Sequence, residues 1–445
     1  MALKPLDALF TATSATCVTG LIVLDTPNDF STFGHLVILG LIQVGGLGIM
    51  VLSTFATLLL GARLGLRGER ALSEVLDIHD PASAYRLVKV VVVATLAIEG
   101  AGAVVLTLLF HAHGAAWGTA LWLGAFHAIS AFCNAGFALY SDSLVGFESD
   151  PLMLLTHMVL IISGGIGFIV IAMLWRLLVS REVRRLDLHS RVVLSTTGVL
   201  LVAGFAVFAV LEWSGALALT NAPAGTRLWN AAFQSVTLRT AGFNSIAFDQ
   251  FGAATILAML LFMFIGASPG STGGGLKTTT FAVLVAAVRG ILRGRPVAEM
   301  FGREIPQEIV YRSAAIFVVS GAFVGAGVFL LLLTQPHLSF ESLVFEAVSA
   351  IATVGLSLGI TASLDPLGKF IIIVLMFAGR GSICILPAST REKSRMSLIK
   401  PSRECAEDFA MARDSRCPRS SFVSSTSSVM PITAFFEVST PGSAS

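Results

Sequence analysis

The chain has 445 residues, of which 55% are hydrophobic and 13% are charged, and its mean hydropathy is +0.84. Because about a quarter of the residues of a soluble domain are charged, this composition excludes a soluble enzyme. The net charge of +2 also provides no basic surface for a nucleic acid. We therefore expect an all-α polytopic membrane protein that lies in the lipid bilayer and has no nucleic-acid partner.

Seven apolar segments are long enough to cross about 30 Å of hydrocarbon. In chain order they lie at 35–60, 87–110, 151–178, 192–219, 251–288, 312–334 and 367–386. The fifth segment is interrupted at 266–277 by a run rich in Gly, Ser and Thr, which are poor residues for continuing a helix. The sequence therefore predicts seven crossings, one of which is broken.

The positive charges lie in alternate connections. Arg and Lys residues are concentrated at 61–89, 176–191 and 289–312, whereas 111–150, 220–250 and 335–366 contain only Arg227 and Arg239. Since cytoplasmic connections carry the excess of Lys and Arg, the first set is predicted to face the cytoplasm and the second set the outside.

The three outer connections and the stretch before the first apolar segment resemble one another. Each contains a Phe, a Ser or Thr four residues later, and then a glycine. The phenylalanines are Phe10, Phe126, Phe233 and Phe345. The hydroxyl residues are Ser14, Ser130, Thr237 and Ser349. The glycines Gly20, Gly136, Gly242 and Gly355 are 116, 106 and 113 residues apart. A second glycine cluster follows each at Gly45–Gly48, Gly164–Gly167, Gly273–Gly275 and Gly379–Gly381. This spacing predicts a fourfold internal repeat.

Such loops could form rings of backbone carbonyls around one axis. Irregular backbone is tolerated at membrane depth only where protein or a watery cavity surrounds it, and carbonyl rings can replace the hydration shell of a monovalent cation. We expect the four Ser and Thr hydroxyls to bond the short helices to the loops. The alternative is that the glycines only allow helices to pack closely, and a set of four aligned copies favours the carbonyl rings.

The strings SATCVTGL, HAISAFCNAGF, SVTLRTAGFNS and GASPGSTGGGLKTTTFAVL resemble the Trk/Ktr/HKT superfamily of potassium transporters, and the bacterial Ktr-type membrane subunit in particular. The resemblance covers residues 5–380. It implies four M1–P-loop–M2 units around one pore and a homodimer that works with a cytosolic, nucleotide-binding regulatory ring subunit. We expect the first M1 to be missing and the last M2 to be truncated.

The resemblance also assigns site residues. The potassium filter would consist of Val18, Thr19, Gly20, Asn134, Ala135, Gly136, Thr240, Ala241, Gly242, Thr353, Val354 and Gly355. The gate would consist of Gly270, Ser271, Thr272, Gly273, Gly274, Gly275, Lys277 and Arg380. A glycine at position 20, where sodium-preferring members have serine, implies potassium. For the segment at 266–277, a hinge that does not obstruct the pore is the alternative to a gate.

The repeats predict the boundaries of the units. Repeat 1 (P-loop and M2 only) covers 1–60, repeat 2 covers 61–178, repeat 3 covers 179–290, and repeat 4 covers 291–386. The Ser-rich tail at 387–445 is predicted to be disordered.

Several residues have competing interpretations. Residues 270–278 superficially suggest a phosphate loop, but Leu276 separates the last glycine from Lys277, so ATP binding is not expected. Arg239 is predicted to point away from the filter and to pair with a carboxylate. Asp25, Asp142 and Asp249 could form an acidic vestibule or could be ordinary solvated loop ends.

The sequence thus predicts a multi-pass protein of the bacterial plasma membrane that takes up potassium and is not an enzyme. We expect no catalytic residues, no cofactor and no metal site beyond that for potassium, because the five cysteines lack metal-ligand spacing. The alternatives are a truncated, non-conducting fragment of such a transporter and a sodium-conducting relative.

Overall fold

The computed structural model describes residues 4–48, 81–178, 183, 185–213, 223–248, 251–295 and 297–381. Within these ranges it contains fourteen α-helices, two 3₁₀ helices and two short strands, which confirms the expected, mostly helical fold. Residues 61–80 of the predicted linker at 61–89, and the predicted tail at 387–445, lie outside the described residues.

The first half of the chain forms seven helices and one 3₁₀ helix within the described ranges. In chain order these are α1 (Pro5–Thr16), α2 (Thr26–Asp29), α3 (Thr32–Leu47), α4 (Pro81–Ala112), α5 (Trp117–Phe132), a 3₁₀ helix at Val145–Phe147, α6 (Pro151–Ile166) and α7 (Phe168–Leu178).

The second half of the chain also consists mainly of helices within the described ranges. In chain order its elements are α8 (Leu188–Trp213), α9 (Ala224–Thr237), α10 (Ala253–Phe264), α11 (Thr278–Leu292), β1 (Ala298–Met300), β2 (Arg303–Ile305), α12 (Gln307–Thr334), α13 (Phe340–Ala352), a 3₁₀ helix at Thr361–Ser363 and α14 (Pro366–Gly381). Strands β1 and β2 pair antiparallel, with Glu299 opposite Glu304.

Local sequence signals set several helix starts. The side chain of Asp150 accepts hydrogen bonds from the backbone N–H groups of Leu152 and Met153 at 2.9 and 3.2 Å, and Pro151 occupies the first turn of α6. Ser31 and Ser339 cap α3 and α13 in the same way. Side-chain caps satisfy N–H groups that have no partner inside the helix, so these helices begin at well-defined residues.

Among the described residues, three helices are long and apolar enough to cross a membrane: Val90–Ala112, Leu188–Trp213 and Gln307–Thr334. Helices α6 and α7 would supply a fourth crossing if the bent pair counts as one. Helices α3, α10 and α11 are apolar but shorter. The predicted interruption of the segment at 251–288 is confirmed, because α10 ends at Phe264 and α11 begins at Thr278.

The structure differs from the expected continuous segment at 151–178. The helix breaks at Gly167, and α6 and α7 meet at an angle of 105°. Gly167 has a φ of +101°, which a residue with a side chain rarely adopts. The backbone N–H of Phe168 then donates to the carbonyl of Gly270 at 2.9 Å. The bend therefore provides a contact with the Gly-rich segment at 266–277.

Four short helices, α1, α5, α9 and α13, occupy the interior. The phenylalanines singled out in the sequence, Phe10, Phe126, Phe233 and Phe345, are all completely buried. Helix α5 packs between α4 and α6, and α13 packs between α12 and α14. Helix α9 packs against α8 and α6, and α1 packs against α3 and α14. The surrounding helices thus hold the ends of the four short helices near one another.

Candidate functional site

Each of the four short helices is followed by a loop that contains one of the predicted glycines. The φ values of Gly20, Gly136, Gly242 and Gly355 are +94°, +71°, +78° and +89°. We call the residues 18–20, 134–136, 240–242 and 353–355 the four-loop ring. All twelve predicted filter residues belong to it, so the structure brings these residues together.

The glycines bring successive loops into direct contact. A methyl group built on Gly20 would lie 2.5 Å from the carbonyl oxygen of Ala135. The corresponding distances are 2.9 Å from Gly136 to the oxygen of Ala241, 2.7 Å from Gly242 to that of Val354, and 2.0 Å from Gly355 to that of Thr19. The loops therefore contact one another in chain order, and the fourth loop closes the ring on the first.

The residue two positions before each glycine also has a left-handed backbone. The φ values of Val18, Asn134, Thr240 and Thr353 are +55°, +59°, +65° and +51°. For a β-branched residue this conformation costs about 1–3 kcal/mol and persists only where the surrounding structure enforces it. The same backbone path is therefore imposed four times. Sequence reasoning missed this feature, since only Asn134 is of a residue type that favours it.

Hydroxyl groups of the short helices bind the loops, as expected. The bonds are Gly20 N–H to Ser14 Oγ at 3.1 Å, Ser130 Oγ to the carbonyl of Phe137 at 2.7 Å, Thr237 Oγ1 to the carbonyl of Phe243, and Gly355 N–H to Ser349 Oγ at 3.1 Å. Two of these hydroxyls accept from the loop glycine itself, and the other two donate to the residue after it. All four loops are thus anchored on their own helix.

The Gly-rich segment at 266–277 lies directly against the ring. The N–H of Gly274 donates to Thr353 Oγ1 at 3.0 Å. A methyl group built on Gly273 would lie 2.1 Å from Thr240 Oγ1. Thr272 Oγ1 donates to the carbonyl of Phe132 at 3.1 Å, at the end of α5. The segment therefore contacts the second, third and fourth loops or their helices.

Several backbone N–H groups of the Gly-rich segment donate to carbonyls within the protein. Those of Gly266, Ala267 and Ser268 donate to the carbonyls of Leu276, Gly274 and Gly165 at 2.8, 3.1 and 3.0 Å. The start of the segment is therefore bonded through its backbone to its own end and to α6.

Arg380, which the resemblance groups with the gate residues, contacts the Gly-rich segment. Its guanidinium donates to the carbonyl of Thr272 in that segment and to the carbonyl of Gly45 in α3. Inside the segment, Lys277 Nζ donates to the carbonyl of Gly273 at 2.7 Å. Two cationic side chains thus hold the backbone of the segment in place.

The environment of Arg239 corrects a prediction. Its Nη2 donates to the carbonyl of Gly266 at 2.9 Å, and not to the expected carboxylate. The side chain is 9% exposed and reaches the start of the Gly-rich segment. A carbonyl can take the place of a carboxylate because a helix that is interrupted leaves carbonyls without intrahelical partners.

On the loops beyond the ring, the carboxylate of Asp25 accepts hydrogen bonds from Asn28 Nδ2 and Ser141 Oγ, both at 2.6 Å. It therefore joins the chain after the first loop to the chain after the second. Asp249 lies outside the described residues, so an acidic vestibule stays a prediction. Within the described ranges, no group of three or more His, Cys, Asp or Glu side chains could hold a metal ion.

In the four-loop ring, a backbone carbonyl oxygen of each loop lies against the glycine of a neighbouring loop. Carbonyl oxygens in rings can replace the water shell of a dehydrated monovalent cation, and they do so without side-chain charge or covalent chemistry. The arrangement is therefore suited to binding and passing an ion.

Comparison with known proteins gives consistent results. A family model described as "TrkH: Cation transport protein" matches residues 1–393. The chain is 42% identical to Ktr system potassium uptake protein B of Vibrio alginolyticus over 374 residues, covering 84% of this chain and 82% of that protein. It is 38% identical to the potassium/sodium uptake protein NtpJ of Enterococcus hirae over 382 residues, covering 85% and 83%.

A solved structure shares the fold. It is the potassium transporter TrkH from Vibrio parahaemolyticus, which is 20% identical in sequence, with a TM-score of 0.65. The match covers 86% of this chain and 77% of that one.

Proposed function

The chain belongs to the TrkH family of cation transport proteins, and from that membership we propose that it is the potassium-conducting membrane subunit of a Ktr-type uptake system. It is an integral plasma-membrane protein and a transporter, not an enzyme. Potassium is its substrate under this proposal, and potassium moves down its electrochemical gradient without covalent chemistry.

The closed contact of the four loops carries the proposal. Each loop glycine faces the carbonyl of the residue before the next loop's glycine, namely Ala135, Ala241, Val354 and Thr19. We propose that the twelve residues of the four-loop ring form the selectivity filter and that their carbonyls bind the ion. The partial negative charge at the carboxyl ends of α1, α5, α9 and α13 would favour a cation at the same place.

The Gly-rich segment is proposed as the gate. It contacts Thr240 and Thr353 of the ring and is held by Arg380. A segment in this position would block the path of an ion that leaves the filter on the cytoplasmic side. Moving it requires breaking the bonds of Arg380, which offers a means of regulation by an attached subunit.

The repeat units are proposed as M1–P-loop–M2 modules. Helices α4, α5 and α6 would form one module, and α12, α13 and α14 another, since each central helix packs between the other two. The predicted boundaries at 1–60, 61–178, 179–290 and 291–386 stand as proposals. The homodimer and the cytosolic, nucleotide-binding regulatory ring are likewise proposals, consistent with the similarity to a Ktr system protein.

Selectivity for potassium over sodium is proposed from Gly20. All four loops have glycine at the same place, so no side chain at this position narrows one quarter of the ring. Because NtpJ is named as a potassium/sodium uptake protein, sodium conduction is the second candidate, and the experiment must measure both ions.

The test is uptake of potassium and sodium by a bacterial host that lacks its own potassium-uptake systems and expresses the full chain. We expect growth at low external potassium and uptake of a radioactive potassium analogue. Gly242→Val should abolish both, because even a methyl group there would lie 2.7 Å from the carbonyl oxygen of Val354. The matched control is Gly198→Val in α8, where a methyl group meets nothing within 4 Å.

Three results would decide against the proposal. Potassium uptake no greater than that of the empty host would favour the non-conducting alternative. Preferential uptake of sodium would favour the sodium-conducting relative. Normal transport by Gly242→Val, with the protein present in the membrane, would remove the four-loop ring from the ion path.

A further inference from the structure

A second set of equivalent residues, which the filter proposal does not use, lies in the four short helices. The residue after each buried phenylalanine is polar and buried. These residues are Thr11, His127, Gln234 and Glu346, with 4%, 0%, 0% and 0% of their surface exposed. Burying a polar side chain is costly unless it is hydrogen-bonded, so each of these positions needs a structural reason.

Two of the four side chains reach the chain just beyond the loop glycine. His127 Nε2 accepts a hydrogen bond from the N–H of Leu139 at 3.3 Å. Glu346 accepts hydrogen bonds from Ser357 Oγ at 2.8 Å and from Thr361 Oγ1 at 2.5 Å. In the described part of the chain, Thr11 Oγ1 and both polar atoms of Gln234 have no hydrogen-bond partner. The four loops therefore differ in whether this polar side chain forms a hydrogen bond to the chain beyond the loop glycine.

The bonds of Glu346 belong to a small network. Thr361 Oγ1 also lies 3.0 Å from Ser357 Oγ, and the N–H of Gly359 donates to Ser357 Oγ at 3.0 Å. Earlier in the loop, the N–H of Gly355 is held by Ser349. The fourth loop is thus fixed to α13 at its glycine and again two residues later.

The fourth loop takes part in two contacts of the four-loop ring. The carbonyl of Val354 faces Gly242 of the third loop, and Gly355 faces the carbonyl of Thr19 in the first. A displacement of this loop would change the spacing of the carbonyls on both sides. Discrimination between cations by carbonyls depends on that spacing and on the number of oxygens presented.

We propose that Glu346 is a positioning residue for ion selectivity. This inference rests on the proposed function. Glu346 fixes the end of the fourth loop through its hydrogen bonds with Ser357 and Thr361. It does not contact the ion. Its role is that of a hydrogen-bond acceptor, because its two carboxyl oxygens each receive a hydroxyl and the residue is completely buried. The competing explanation is a negative charge that attracts cations from a distance.

The two explanations predict different results for conservative variants. The amide of Glu346→Gln can still accept from one hydroxyl and can donate to the other, but it has no charge. We therefore expect Glu346→Gln to keep the ratio of potassium to sodium affinity within about twofold, and Glu346→Leu to lower that ratio roughly tenfold. The double variant Ser357→Ala/Thr361→Val should reproduce the loss, and adding Glu346→Leu to it should cause little further change.

The experiment measures the KM for potassium, the maximum rate and the inhibition constant of sodium for uptake by the full chain. The matched control is Glu341→Leu, an exposed acidic residue in the first turn of the same helix. It should leave the potassium-to-sodium ratio unchanged. If Glu346→Leu does not reach the membrane, the Ser357 and Thr361 variants, which each remove a single hydroxyl, decide the result.

The outcomes separate this inference from the proposed function. Wild-type protein that takes up no potassium overturns both. Wild-type uptake together with unchanged selectivity in Glu346→Leu and in the hydroxyl double variant overturns the inference alone. Loss of selectivity in Glu346→Gln, with a normal hydroxyl double variant, would assign the effect to charge and would also overturn it.

Discussion

At the scale of single residues, glycine is required in the ring for two reasons that act together. Gly20 has a left-handed φ of +94°, and a neighbouring carbonyl lies where its side chain would be. Either condition alone could be met by a small shift of the backbone. Because both conditions hold at Gly20, any side chain there would move the first loop relative to the second. The carbonyls of Thr19 and Ala135 would move with these loops.

Gly20→Ser is therefore expected to weaken the preference for potassium. The Cβ atom would lie 2.5 Å from the oxygen of Ala135, and the added hydroxyl would compete for hydrogen bonds in the loop. We expect the ratio of potassium to sodium uptake to fall roughly tenfold or more. The measurement is uptake of each ion at equal membrane levels of the protein.

Gly40→Ser is the matched control for this change. Gly40 lies in α3, and a methyl group built there meets nothing within 4 Å. Its uptake ratio should equal that of the wild type. An unchanged ratio for Gly20→Ser would argue against the filter assignment of the first loop.

Single-residue details were only partly predictable from the sequence. The spacing from each phenylalanine to its hydroxyl residue and glycine predicted the hydrogen bonds of Ser14 and Ser349, because both partners lie within six residues of each other. The partner of Arg239 could not be predicted this way. The side chain of Arg239 donates to the carbonyl of Gly266. The path of the Gly-rich segment decides which carbonyls have no helix partner, and the local sequence does not specify that path.

At the scale of elements, the bend at Gly167 and the path of the Gly-rich segment depend on the same hydrogen bonds. The sequence predicted the interruption at 266–277 from the local loss of helix-forming residues. It did not predict the break between α6 and α7, because that segment is apolar on both sides of Gly167. The break depends on the bonds of Phe168 and Gly165 to residues about a hundred positions later, Gly270 and Ser268, which only the folded chain supplies.

Deleting residues 271–275 tests the Gly-rich segment as a gate. The deletion removes Thr272, which accepts from Arg380, and Gly274, which donates to Thr353. We expect several-fold higher ion flux and a weaker dependence on a regulatory subunit, because the path below the ring would be cleared. The measurement is tracer flux into vesicles with and without the regulator.

Thr156→Ala in α6 is the control for the deletion. It removes only the hydrogen bond from Thr156 Oγ1 to the carbonyl of Leu152, at 2.7 Å, and lies outside the Gly-rich segment. Its flux should match the wild type. Flux that stays low and fully regulated in the deletion variant, with the protein folded in the membrane, would place the obstruction elsewhere.

At the scale of the whole molecule, contacts around the ring join the two ends of the described chain. Helix α1 packs against α14, Gly355 meets the carbonyl of Thr19, and Arg380 binds the carbonyl of Gly45. The fourfold spacing in the sequence predicted that such loops share one axis. It could not specify which side chains close the first repeat on the last, since equivalent positions elsewhere in the chain have different residues.

The ion pair of Lys369 with Asp7 is the test of that closure. Lys369 Nζ lies 2.7 Å from Asp7 Oδ1, and the two side chains are 15% and 11% exposed. Removing one partner leaves a mostly buried charge without its counterion, so Lys369→Met should destabilise the protein by about 3 kcal/mol. The double variant Lys369→Met/Asp7→Leu should recover most of this loss, because both charges are then absent. The measurement is the midpoint of thermal unfolding in detergent.

The comparison variant is Glu299→Gln, whose partner Arg295 is 36% exposed. Its unfolding midpoint should change little. If Lys369→Met were as stable as the wild type, the contact between α1 and α14 would not contribute to holding the ring closed.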